Sequence, residues 1–126
     1  MSNPDISADV LALLHRHLPS LDHVAVLLEL NSHPDDVLSA GDIAPLIRIN
    51  ERIAEGVLLE LERASLVLTE AGGFRIAPTR EMREILPRLN ELYNTRPVTL
   101  VRAIYDRPSN AATSFADAFR LRKEDA

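Results

Sequence analysis

The chain has 126 residues, 46% of them hydrophobic and none of them cysteine, and its formal net charge is -5. That length suffices for one good core but not two, and without cysteine neither a disulfide framework nor a zinc ribbon can form. Net acidity gives no whole-molecule attraction to nucleic acid, and no apolar run reaches the roughly 18 residues of a membrane span. Met1-Ser2-Asn3-Pro4-Asp5 lacks the basic start and apolar centre of a signal peptide, so a cytoplasmic protein is expected. Residues 1–42 carry seven acidic side chains against Arg16 alone, so the acidity sits in the first third.

In chain order, Ser7 is a helix cap, and Val10, Leu11, Leu14 and Leu18 follow it at i, i+3, i+4 spacing. Pro19 stops that helix. Ser20 caps a second, with Leu21, Val24, Leu27 and Leu28 inward, and Asn31-Ser32-His33-Pro34 ends it. His33-Pro34-Asp35-Asp36 reads as a turn, and Val37-Leu38 as a short strand. Ser39 caps a third helix with Asp42 placed for a capping box, and Ile43, Leu46 and Ile47 form its apolar side. Pro45 inside it predicts a late start or a kink. Asn50 caps a longer helix that buries Ile53, Ala54, Val57, Leu58, Leu61 and Ala64. Leu66-Val67-Leu68-Thr69 and Phe74-Arg75-Ile76-Ala77 are strand-like, with Glu70-Ala71-Gly72-Gly73 as the turn between them.

Thr79 opens a helix whose set Met82, Ile85, Leu86, Leu89, Leu92 and Tyr93 is the cleanest 3.6-residue periodicity in the chain, with a kink predicted at Pro87. Asn94-Thr95-Arg96-Pro97 breaks it. A further helix presents Val98, Val101, Ile104 and Tyr105, and Ser109 caps a last one carrying Ala112, Phe115, Ala116 and Phe119. These added helices must bury their apolar sides against the first helices of the same chain or against a second subunit. The second route, a homodimer, is the one expected. Leu92, Val98, Val101, Tyr105, Phe115 and Phe119 are the candidate interface.

Leu58, Leu61-Glu62, Ala64 and Leu66-Val67 reproduce an LxxLExxxLV pattern. It resembles the way winged helix-turn-helix transcriptional regulators, of the broad kind that includes the MarR and ArsR families, pass from recognition helix into wing. The resemblance covers residues 20–93. It implies a mainly α fold with a small β-hairpin: an N-terminal helix over residues 1–19, a winged-helix core over 20–78 and a C-terminal helical extension over 79–126. It also implies a left-handed residue, usually glycine, where Ser65 stands. The implied job is transcriptional control, with the Asn50 helix in the major groove of double-stranded DNA and the wing near Gly72-Gly73 over phosphates.

On that reading Asn50, Arg52 and Gly56 face bases or allow close approach, and Arg48, Arg75 and Arg80 hold phosphates. Arg83 is a further phosphate candidate. Residues 50–63 nevertheless carry four acidic side chains and two basic ones. The alternative is a winged helix used as a protein-interaction module, which the net acidity and an exposed Leu59 beside Gly56 suit. The field around the Asn50 helix separates the two: a positive rim favours DNA, a neutral or acidic one favours protein. No GxSxG, HExxH, Walker or GxGxxG pattern is present, so neither a catalytic residue nor a cofactor is expected. His15, His17, His23 and His33 are read as solvated or capping, and Asp35-Asp36, Glu60 and Glu62 as solvated.

Overall fold

The computed structural model describes residues 6–105. The element order is α1 (Ala8–His17), α2 (Leu21–Ser32), α3 (Ala40–Ile47), α4 (Glu51–Arg63), β1 (Val67–Glu70), β2 (Gly73–Ile76), α5 (Arg80–Thr95) and α6 (Pro97–Tyr105). The expected helix capped by Ser109, with Phe115 and Phe119, lies outside the described residues. The fold is mainly helical with one short antiparallel hairpin, a winged-helix type of topology. Among the described residues no helix is long and apolar enough to cross a membrane.

Local capping fixes most helix starts. The Ser20, Asn50 and Thr79 side chains accept from the backbone N–H of His23, Arg52 and Met82. Ser39 and Asp42 form the full reciprocal box, with bonds of 2.9 and 3.1 Å. Ser7 holds the cap position of α1 without capping it: its hydroxyl donates to Asp9 (2.6 Å), whose carboxylate takes the N–H of Val10. That hydroxyl, together with the Arg88 guanidinium 2.5 Å away on α5, holds the Asp9 carboxyl below the usual carboxylate range.

The predicted late start of α3 does not occur, because the capping box fixes the first turn at Ala40. Pro45 and Gly41, whose carbonyl would have received the missing bond, are both exposed, so the lost bond lies on the solvent side of the helix. Leu46 and Ile53, expected inside, are 55% and 48% exposed. The buried line of α4 is Ala54, Val57, Leu58 and Leu61, and Ile53 falls beyond its edge.

Both helices of this pair end on a left-handed residue that is not glycine. At Arg48 φ is 60° and the N–H of Ile49 reaches back to Ala44 (3.0 Å). At Ser65 φ is 65°, with Leu66 N–H on the Leu61 carbonyl and Ser65 N–H on that of Glu62. The second pattern is a complete Schellman ending, sealed by burial of both Leu61 and Leu66.

The strands run one residue off their expected bounds, and the hairpin turns on Ala71 and Gly72, where Gly72 has φ 88°. The expected third strand shrinks to one bridge, Leu38 to Phe74, with bonds of 2.9 and 2.8 Å. Gly73 makes that bridge possible, since a Cβ there would stand 2.5 Å from the Leu38 carbonyl oxygen.

The core runs through the whole described chain, from Ile6 to Ile104. At its centre α2 is buried on several sides, through Val24, Ala25, Val26, Leu27, Leu28 and Leu30, because α3, α4, β2 and α5 all touch it. A single apolar face was expected. Of the two routes open to the added helices, α5 and α6 take the intrachain one. Leu92, Leu100 and Ile104 are buried in the chain's own core, and α6 packs on α1. His15 Nε2 lies 3.3 Å from the Ala103 carbonyl, and the Tyr105 hydroxyl accepts from the N–H of Leu21 at 3.0 Å.

Two substitutions separate these backbone demands. Gly73→Ala should lower unfolding free energy by about 1–3 kcal/mol, because only backbone movement relieves the overlap with Leu38. Ser65→Gly should raise it by about 0.5–1 kcal/mol, the left-handed penalty less the entropy glycine adds to the unfolded chain. Urea unfolding of both variants measures these changes, and a Gly73→Ala protein as stable as the parent would contradict the close approach.

Candidate interaction surface

Helix α4 offers the face opposite its buried line. At about 100° per residue, the crest of that face carries Arg52, Gly56, Leu59 and Arg63, all exposed. Glu51 and Glu55 flank it on the side of the hairpin, and Ile53 and Glu60 on the other. Asn50 starts the helix, using its side-chain oxygen on the N–H of Arg52 at 2.7 Å. Arg48, in the left-handed turn just before, is exposed as well.

A groove of about 400 Å³ separates α4 from the hairpin, with the start of α3 lining it. Its floor is small, formed by Ser39, Ala40, Gly41, Gly72 and Gly73, and its charged lining residues are Glu51, Glu55 and Glu70. Arg75, the cation expected to serve the wing, is held in an ion pair by Glu70. The Thr69 hydroxyl donates to Glu62 and ties β1 to α4. Glu62 is therefore engaged rather than simply solvated.

Glu60 is engaged too. Its carboxylate sits 2.5 Å from Nε2 of His23, and Nδ1 of the same ring is 2.7 Å from the Ser20 hydroxyl. His23 is only 7% exposed, the one buried polar side chain among the described residues. It was expected to be solvated or capping; it braces the start of α2 against α4. Nothing local in the sequence pairs positions 37 apart, so this contact had no signal there. The Glu70–Arg75 pair had one, because a two-residue turn brings positions 70 and 75 to the same end of the hairpin.

Of the six residues first proposed for DNA, Arg48, Asn50, Arg52 and Gly56 share one end of α4. Arg75 is on the hairpin and neutralised. Arg80 opens α5, whose first turn shares a groove with Ala64, Ser65 and Leu66 at the far end of α4. Arg80 therefore stands near the end of α4 opposite Asn50. On α6, Val98 and Tyr105 are exposed and Val101 is half-buried.

A phosphate oxygen drawn within about 4 Å of Glu51 or Glu55 meets a repulsion of about 1–4 kcal/mol, depending on how far water screens it. The wing side of α4 is therefore neutral to acidic, and the cations lie along the crest and at its start. Comparison with protein-family models, with curated proteins and with solved structures yields no match.

Gly56 stands inside α4 although nothing among the described residues lies within 4 Å of the Cβ it lacks. Glycine inside a helix costs about 0.5–1 kcal/mol relative to alanine, and no contact within the fold requires it here. Gly56→Ala should accordingly raise stability by about that amount in urea unfolding; a loss would reveal a packing demand at this position.

Proposed function

We propose that the chain is a winged-helix protein-interaction module that receives a partner protein along the crest of α4. The observation that carries this reading is the charge on the wing side: Glu51 and Glu55 face the groove while Arg75 is spent on Glu70. On α4 itself the exposed apolar side chains Ile53 and Leu59 supply area that a protein partner can cover. Gly56 leaves room at the centre for a partner's backbone. The proposal assigns no catalytic step and no cofactor. It includes a homodimer, for which the exposed Val98 and Tyr105 of α6 offer an apolar strip.

One observation favours a second reading, sequence-specific DNA binding in transcriptional control. Arg48, Asn50 and Arg52 cluster at the start of α4 with Gly56 one turn on, where helix-turn-helix proteins touch base edges and phosphates.

Fluorescence anisotropy of a labelled duplex pool, titrated with protein at low and moderate salt, decides between them. Docking of a protein predicts no duplex binding even at low salt, whereas DNA binding predicts an affinity that falls steeply as salt rises. In the first case, a photo-crosslinking residue at Leu59 should join the chain to one discrete protein in cells of its source, and Gly56→Trp should abolish that product. Steep salt-dependent duplex binding that Arg52→Ala removes would overturn the docking proposal.

A further inference from the structure

Away from α4's crest, α1 turns Leu13, Arg16 and His17 toward the corner where α4 passes into β1 and toward the first turns of α5. Between these three elements lies a groove of about 240 Å³. Its floor is aliphatic: Leu13, Leu66, Met82 and Ile85 are each 5–6% exposed. Met82 gives that floor an adaptable shape.

The charged groups on its walls differ in how far they are engaged. Asp9, at one end, is committed to Ser7 and Arg88. Arg16 on α1 and Glu81 on α5 both line the groove, both are exposed, and neither has a hydrogen bond or an ion pair among the described residues. They do not pair with each other, although α1 and α5 do pair further along through Asp9 and Arg88. His17 is the remaining titratable group on the wall.

An apolar floor bordered by a cation and an anion, each without a side-chain partner among the described residues, is complementary to a molecule that carries both charges and an apolar body. A simple carboxylic acid would answer Arg16 and leave Glu81 unanswered; a simple amine would do the reverse. We propose that this groove binds a free aliphatic α-amino acid, with its side chain on Leu13, Leu66, Met82 and Ile85, its carboxylate on Arg16 and its ammonium group on Glu81. Ser65 also lines the groove, so the ligand touches the left-handed corner that ends α4.

Methyl NMR titration of the full chain with L-leucine, isovalerate and isoamylamine tests this independently of what α4 binds. Leucine should shift the Leu13, Leu66, Met82 and Ile85 methyl signals saturably, and loss of either charged group should weaken binding by about tenfold or more. Arg16→Gln should erase leucine's advantage over isoamylamine, and Glu81→Gln its advantage over isovalerate. Both side chains are exposed, and an unchanged methyl spectrum without ligand shows that each variant folds. The proposal is overturned if leucine gives no saturable shift, if isovalerate binds the parent protein as tightly as leucine, or if the two variants keep the parent's preferences.

Discussion

Burial of α2 is the constraint on which the other elements depend. Val24, Val26, Leu27 and Leu30 are wholly buried although they point in different directions around the helix, so cover is needed on more than one side. Each such side chain contributes about 1.5–3 kcal/mol when removed from water, an upper figure because the unfolded chain already hides some of it. The α3–α4 pair and β2 supply part of that cover, and α5 supplies more, while α1 and α6 pack together around the same core. Helices outside the winged-helix elements are thus part of one packing unit. Among the described residues a polar side chain enters this core only at the start of α2, where His23 finds partners in Ser20 and Glu60 and so meets the requirement that buried polar atoms be bonded.

The hairpin is held as firmly as its shortness allows. Two strands of four residues are marginal alone, and this pair is fastened at three points: the Leu38–Phe74 bridge, the Thr69–Glu62 bond and the buried Val67 and Ile76. Gly73 lets the Leu38 backbone approach, which brings the start of α3 against the turn. The groove between wing and α4 is therefore bounded by anchored backbone on both sides. A charge pattern carries functional meaning only on such a frame, because mobile surface charges would rearrange around any ligand.

What could be read in the sequence was mostly local. Ser20, the Ser39–Asp42 box, Asn50 and Thr79 announce helix starts because a cap needs only its own next few residues. The α5 periodicity was legible because its apolar side chains all face one surface. The left-handed Ser65 followed from the resemblance in the α4–β1 spacing, and its backbone angle agrees. Periodicity misled where a helix has more than one neighbour or a narrow one: α2 is buried well beyond one stripe, whereas Leu46 and Ile53 lie just outside theirs. The charge pairing of the candidate surface was less legible still. Arg75 reads as a free cation until the hairpin closes on two residues, and Glu60 as solvated until α2 is packed against α4.

Topology alone does not decide what a winged helix binds, since the same scaffold serves several ends. Here two features of α4 bear on it and neither is required by the fold. One is Gly56, which weakens the helix and leaves a gap that nothing among the described residues fills. The other is the placing of Glu51 and Glu55 on the wing side, where phosphates would run. A gap on the crest suits any close partner, nucleic acid or protein. The carboxylates discriminate, because a basic protein segment gains from them what a phosphate chain loses. With Arg75 already paired with Glu70, no other cation on the hairpin offsets that loss.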